Sequence, residues 1–256
     1  MISKFKVFLI LVISIFISCK KENPAILKED LLTEHVSSKH FDYYYSKAEQ
    51  EIIDTNWQEK FYTWLIDTLD LTLDTNLKYY KYRDINHIRR VTGKKTNGFA
   101  EIGTYKFHTI WKAENHECVH TIVTQLIGHP PALINEGIAV AYSADYLKFP
   151  NFIPLWNGQD FNQLSKGFDQ NGEIPPLDKL LGVYTFWDYN PNLTYPISGS
   201  FVHYLIDTYG LVKMKAFIRL SGFEDSKENI RNDFFSIYSL TIDNAWITWI
   251  NFITNY

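Results

Sequence analysis

The pentapeptide His116-Glu117-Cys118-Val119-His120 constrains this chain more than any other feature, because its chemistry requires a helix. Residues four apart on a helix lie one above the other, so two imidazoles at that spacing can aim at one point. The flanking residues agree. Val119, Ile122, Val123, Leu126 and Ile127 form an apolar stripe at three-and-four spacing, and His116 and His120 sit on its edge, facing inward. Gly128 and Pro130-Pro131 then supply a stop. A second helical pattern starts at about Pro131 and carries Asn135-Glu136-Gly137-Ile138-Ala139.

Two histidines and a carboxylate are one of the standard ligand sets of a catalytic zinc ion, whose fourth position is left for water. Glu136 is the expected third ligand beside His116 and His120. The fifteen residues from Thr121 to Asn135 suffice to finish one helix, turn, and bring the next alongside. Gly137 is expected to let those two backbones approach. Glu117 lies one step, about 100° of rotation, from His116, so it borders the site without binding the metal. Its carboxylate is placed to take a proton from a water activated there and pass it to a departing amine, which is the duty of a general base. Cys118 lies off the histidine face and reads as a small core residue.

With 256 residues, 46% hydrophobic and 16% aromatic, the chain can build one substantial core or two lobes around a cleft. Its 25 Lys and Arg against 29 Asp and Glu, with no block of like charge, exclude a polyanion-binding stripe, and no nucleic acid partner is expected. Phe41 to Tyr45, Leu77 to Tyr82 and Lys106 to Trp111 read as strands, Trp57 to Leu69 as a helix, and Asn97-Gly98 as the opening of a turn. From about Ala113 the pattern is helical. The expected fold is α+β: a small N-terminal mixed α/β lobe with a short sheet, then a mainly helical lobe, with the zinc cleft between them.

The first residues form an address. Lys4 and Lys6 precede an apolar or small-residue run, Val7 to Ile17, which is too short to span a bilayer comfortably. The run ends at Phe16-Ile17-Ser18-Cys19, which resembles the lipobox of bacterial lipoproteins apart from Phe16, where leucine is usual. The resemblance implies a signal peptide at 1–18, lipidation of Cys19, a tether over 19–39 and one folded domain over 40–256. It also implies an exported protein held on a bacterial membrane, at the outer membrane or cell surface. With Cys19 committed, Cys118 has no partner for an intramolecular disulfide.

His116 to His120 followed by Asn135-Glu136-Gly137-Ile138-Ala139 resembles the gluzincin metallopeptidases, in particular thermolysin-like and peptidase MA-like domains. Tyr195 to Leu205 leading to Tyr209-Gly210, and the closing helix with Trp246 and Trp249, are also similar to that family. The resemblance implies His116, His120 and Glu136 as zinc ligands, Glu117 as catalyst and a peptide or protein substrate; the protein is expected to be a monomer. A tyrosine downstream of the third ligand steadies the developing oxyanion in related aminopeptidases, which makes Tyr195 the candidate donor and His203 a second one. Trp156, Phe161, Tyr184, Phe186 and Trp187 are candidates to line the cleft. Val140 stands where thermolysin-like members carry an aspartate that orients a ligating histidine. No Gly-Ala-Met-Glu-Asn segment is present, and Asn97-Gly98-Phe99-Ala100-Glu101 is a distant stand-in, so internal cleavage is expected. Two other functions stay open at this point: a non-catalytic surface lipoprotein that binds protein, peptide or glycan on a gluzincin scaffold, and a zinc hydrolase of non-peptide amides or peptidoglycan. Replacing the lipidation residue, Cys19→Ser, is expected to move the protein out of the detergent-extracted membrane fraction; unchanged partitioning would reject the anchor.

Overall fold

The computed structural model describes residues 26–256 apart from Asp145; residues 1–25, with the signal peptide and Cys19, lie outside them. Among the described residues no helix is long and apolar enough to cross a membrane. Strands β1 (Glu34–Ser37), β2 (Phe41–Tyr45), β3 (Leu77–Lys81), β4 (Gly98–Glu101) and β5 (Lys106–Thr109) form one sheet in the order β1-β2-β3-β5-β4. The pairs β2/β3 and β3/β5 are parallel, whereas β1 and β4 close the two edges antiparallel. Parallel neighbours need a crossover. Helix α1 (Thr55–Thr68) connects β2 to β3, and α2 (Ile85–Thr92) follows β3. Asp54 starts α1 by accepting from Trp57 N–H, and Asp84 starts α2 by accepting from His87 N–H.

Strand alternation divides the sheet into two faces. Phe41, Tyr43, Leu77, Tyr79 and Phe107 point inward, fully buried, in one core with Trp57, Phe61 and Leu65 of α1. The outer face carries stacked rings across all five strands: His35 on Tyr44, Tyr44 on Tyr80, Tyr80 on His108 and His108 on Phe99. Each pair is directly opposite in register, and the centroids are 4.3 to 4.9 Å apart. That spacing equals the separation of neighbouring strands, about 4.8 Å, so the rings stand upright and cover one another's faces. Lys94 Nζ caps the end of the stack, 3.7 Å from the Phe99 ring centroid.

The helical lobe follows: α3 (His116–Leu126), α4 (Ala132–Ala141), α5 (Phe161–Gln170), α6 (Leu177–Leu180), α7 (Pro191–Tyr209), α8 (Leu211–Leu220), α9 (Lys227–Tyr238) and α10 (Ile242–Thr254). The α+β order expected from the sequence therefore holds, with a small sheet lobe first and helices after it. One continuous apolar core joins both lobes. Every residue of α4 is buried, and α4 crosses α7 at a pair of glycines. A Cβ on Gly137 would lie 2.6 Å from the Ser198 carbonyl oxygen, and one on Gly199 would lie 2.4 Å from Val140 Cγ1. The close approach expected at Gly137 is thus to α7, not to α3, because α3 meets α4 on a different face. Val140 is committed to the same α4/α7 contact.

Two further expectations are corrected. Gly98 does not open a turn; it begins β4, and the turn of the β4–β5 hairpin is at residues 102–105. Folded structure also begins before His40, so residues 28–39 belong to the domain and not to a tether. A 3-10 turn at Lys28–Asp30 precedes β1, and Asp30 is fully buried. Its carboxylate accepts from Arg90 Nε at 2.6 Å and Nη2 at 2.8 Å and pairs with the Arg83 guanidinium, while its carbonyl accepts from His87 Nε2 at 2.8 Å. Polarity made this stretch look like a linker, but its charge is satisfied by residues 53 and 60 positions downstream.

The hydrogen bond from Arg90 leads the effects that hold the Asp30 carboxyl well below its ordinary pKa, against the opposing effect of burial. A depressed carboxyl pKa contributes stability above the unfolded-state value, and that contribution is lost as pH falls. Asp30→Ala is therefore expected to cost about 3 kcal/mol near neutral pH, with the gap from the unaltered protein closing below about pH 4. Urea unfolding at several pH values measures this, and a pH-independent gap would contradict the ion-pair account.

Candidate metal centre

Helix α3 starts where Asn115 Oδ1 accepts from His116 N–H at 2.7 Å, which places both histidines in its first turns on the side facing α4. His116 Nε2 and His120 Nε2 are 3.1 Å apart. Glu136 Oε2, brought in by α4, lies 3.2 Å from the first and 3.4 Å from the second. Three donors at about 2.0–2.1 Å from one tetrahedral zinc ion would lie ~3.3–3.4 Å from each other, so the triangle has the size that such an ion requires. Among the described residues this is the one group of three or more His, Cys, Asp or Glu side chains that could hold a metal. The donor set suits zinc and would also accept other first-row divalent ions.

The electrostatics follow from burial. Burial works against an ionised Glu136, but the charge on His120 and hydrogen bonds from both histidines hold its carboxyl well below the usual range. Burial likewise opposes a charged His120, yet the Glu136 carboxylate, with Glu117 and Asn135 adding to it, pushes that imidazole up to about 9. The Nδ1 atoms of both histidines and Asn135 Oδ1 are buried without a hydrogen-bond partner among the described residues. Were an ion held at both Nε2 atoms, each Nδ1 would need an acceptor. Asn135, next in the chain to Glu136, donates from Nδ2 to Glu136 Oε1 at 3.3 Å.

Glu117 is half-buried beside the triangle, and its carboxylate has no hydrogen-bonding or ion-pair partner among the described residues. Its backbone N–H donates to Glu114 Oε1 at 3.1 Å. Glu114 is itself buried, accepts from Thr109 Oγ1 at 2.6 Å, and is pushed up to about 7, first by burial and then by the charge of Glu117. Tyr195, on α7, stacks on His116 at 5.6 Å with ring planes 6° apart, and burial followed by the charges of Glu136 and Glu117 raises its phenol pKa.

An open cleft crosses the triangle. On one side is a cavity of ≈ 510 Å³ walled by Trp111, Tyr146, Leu155 and Trp156, and on the other a smaller one of ≈ 210 Å³ beside Phe99, Ala100 and Ile102. Gly98, His116, Glu117 and Tyr195 line both. The smaller side is bordered by β4, the last strand of the sheet. Ile110 N–H bonds Asn97 O, so the antiparallel alternation puts Phe99 in a bonded pair with β5 and turns the backbone groups of Ala100 toward the cleft.

Five sequence-predicted site residues therefore come together: His116, Glu117, His120, Glu136 and Tyr195. Others do not. His203 pairs with Asp207 on the outer side of α7 at 3.0 Å. Of the aromatic candidates only Trp156 lines the cleft; Phe161 and Phe186 are buried, and Tyr184 and Trp187 are exposed and do not line it. Cys118 is buried in the core, as expected. Sequence reasoning missed Glu114 and the β4 contribution. An acid just ahead of a helix was a usable signal for Glu114, but nothing local reveals its partner Gln58, 56 residues away. No protein-family model matches the chain, and no curated protein shows significant similarity to it.

Because His120 holds its proton up to about pH 9, an incoming ion must displace that proton at lower pH. Zinc affinity is expected to rise about tenfold per pH unit from about pH 7 toward 9 and then level off. Chelator-competition titrations read this directly, and a flat profile would contradict the assigned coupling.

Proposed function

We propose that this chain is a zinc-dependent peptidase of the gluzincin type, working outside the cytoplasm and anchored through Cys19. One observation carries the reading: a donor triangle with edges of 3.1, 3.2 and 3.4 Å, next to a glutamate whose carboxylate has no partner among the described residues. A purely structural role leaves the second part unexplained, since a carboxylate facing a cleft without a partner contributes nothing to packing. A binding scaffold would leave Glu117 equally without purpose.

Zinc held by His116, His120 and Glu136 would supply Lewis acidity, polarising a scissile carbonyl and lowering the pKa of a water toward about 7. The chain's own residues would do the rest. An extended peptide could lie along the free edge of β4 and bond to the N–H and C=O of Ala100, so that its backbone is held across the triangle. The Glu117 carboxylate accepts the proton of the attacking water and returns it to the amine nitrogen as the C–N bond breaks. Tyr195 stays protonated because burial and the neighbouring carboxylates oppose its ionisation, so its hydroxyl can donate to the negative charge growing on the carbonyl oxygen. Trp156 packs edge-on against Tyr195, with centroids 5.1 Å apart, and with Trp111 gives one side of the cleft an apolar wall.

Purified protein is expected to bind close to one zinc per chain, with His116→Ala and Glu136→Ala losing most of it. Glu117→Gln should keep the metal while hydrolysis of a casein-type substrate falls by about 10²–10⁴-fold. Metal analysis alongside the assay checks both, and turnover that survives Glu117→Gln would overturn the mechanism.

A further inference from the structure

The Glu117 carboxylate has no partner among the described residues, yet its place is set from two directions. Gly98 lies under its side chain: a Cβ there would stand 3.0 Å from Glu117 Cγ, 3.3 Å from Glu117 Oε1 and 3.0 Å from the His108 carbonyl oxygen. Carbon atoms in good contact are about 3.5–4.0 Å apart, so any other residue would push against Glu117 while the β5 backbone blocks retreat. Backbone freedom is not the reason for a glycine here, because Gly98 is absent from the positive-φ glycines and has strand conformation. Room is the reason.

From the other direction, Glu114 holds the turn from which Glu117 springs. Its Oε1 accepts from Glu117 N–H and its Oε2 from Thr109 Oγ1 at the end of β5. Its own N–H and C=O are both bonded by the Gln58 amide of α1, at 2.9 and 2.8 Å. The first turn of α3 is thereby tied to both the sheet and α1.

We propose that Gly98 and Glu114 are positioning residues for Glu117: Gly98 leaves the space in which the side chain lies along β4, and Glu114 fixes the helical turn that carries it. The strand that would receive the substrate then also sets where the general base stands. This inference rests on the peptidase reading only for what Glu117 does; the two-sided seat is geometric.

The test is a double-mutant cycle of Gly98→Ala and Glu117→Ala in the full chain, read by thermal unfolding of the metal-free protein, by zinc content, and by kcat and KM. Gly98→Ala is expected to keep zinc, to lower Tm by roughly 2–4 °C, and to lower kcat by about 100-fold with a much smaller change in KM. With Glu117 cut back to alanine the contacts with Cγ and Oε1 are gone and only the one with the His108 carbonyl oxygen stays, so Gly98→Ala should then cost less in Tm and nothing further in residual rate. Equal losses in both backgrounds would overturn the seat. Glu114→Ala and Glu114→Gln form a second arm, which also serves if Gly98→Ala does not fold. The amide still offers an oxygen to Glu117 N–H, so Glu114→Gln should recover most of the rate lost in Glu114→Ala, and an equal loss in both would overturn the role of Glu114. A wild-type chain that binds no zinc and cleaves nothing would end the peptidase reading, while the Tm cycle would still decide the seat.

Discussion

The arrangement depends on one buried charge. Glu136 sits in a helix with no exposed residue, where an ionised carboxylate without a counter-charge would cost several kcal/mol. Among the described residues only the imidazoles of α3 form ion pairs with it, so α3 and α4 must lie side by side at that point, with the Nε2 atoms turned to the carboxylate. In the metal-free protein a proton on His120 supplies the positive charge; a divalent cation would supply it to all three donors at once. The feature that makes the triangle suitable for metal is thus the same one that fixes the two helices.

Glycines then set how closely the neighbouring layers fit. Gly137 and Gly199 let α4 and α7 cross at backbone distance, which brings Tyr195 over His116. Gly98 does the equivalent on the sheet side, where β4 comes against the first turn of α3. Larger side chains at these positions would widen the cleft from both walls, and a shift of about 1 Å is enough to spoil a reaction geometry.

The sheet needs its own support, because its edge beside the donor triangle is a short strand of four residues, Gly98–Glu101. The ring stack on the outer face links β4 through Phe99 and His108 to the remaining strands. His108 is further held by Tyr82 Oη at Nδ1 and by Glu101 at Nε2, both at 2.9 Å. A strand with one free edge is thereby kept from drifting on the other. At the opposite edge, Asp30 and its arginines hold the entry of the chain against α2.

Much of this was legible in the residues alone. The His116 and His120 pairing, the stop at Gly128 and the second helix with Glu136 follow from periodicity and local stop signals, which are set by covalent spacing, and the strands read at Phe41 to Tyr45 and Leu77 to Tyr82 follow from residue type. Other features were not. The Asp30 anchor, strand β4, the partner of Gly137, the Glu114–Gln58 lock and the displacement of His203 from the site depend on contacts between segments far apart in the chain. A glycine in a sequence announces that room is needed, but not for what; a polar segment announces solvent or a distant partner, without distinguishing them. The residue types able to hold a metal were therefore determined by the sequence itself, through the fixed pitch of the helix. Which of them converge, and what holds Glu117 beside them, was decided only when packing chose the faces that meet.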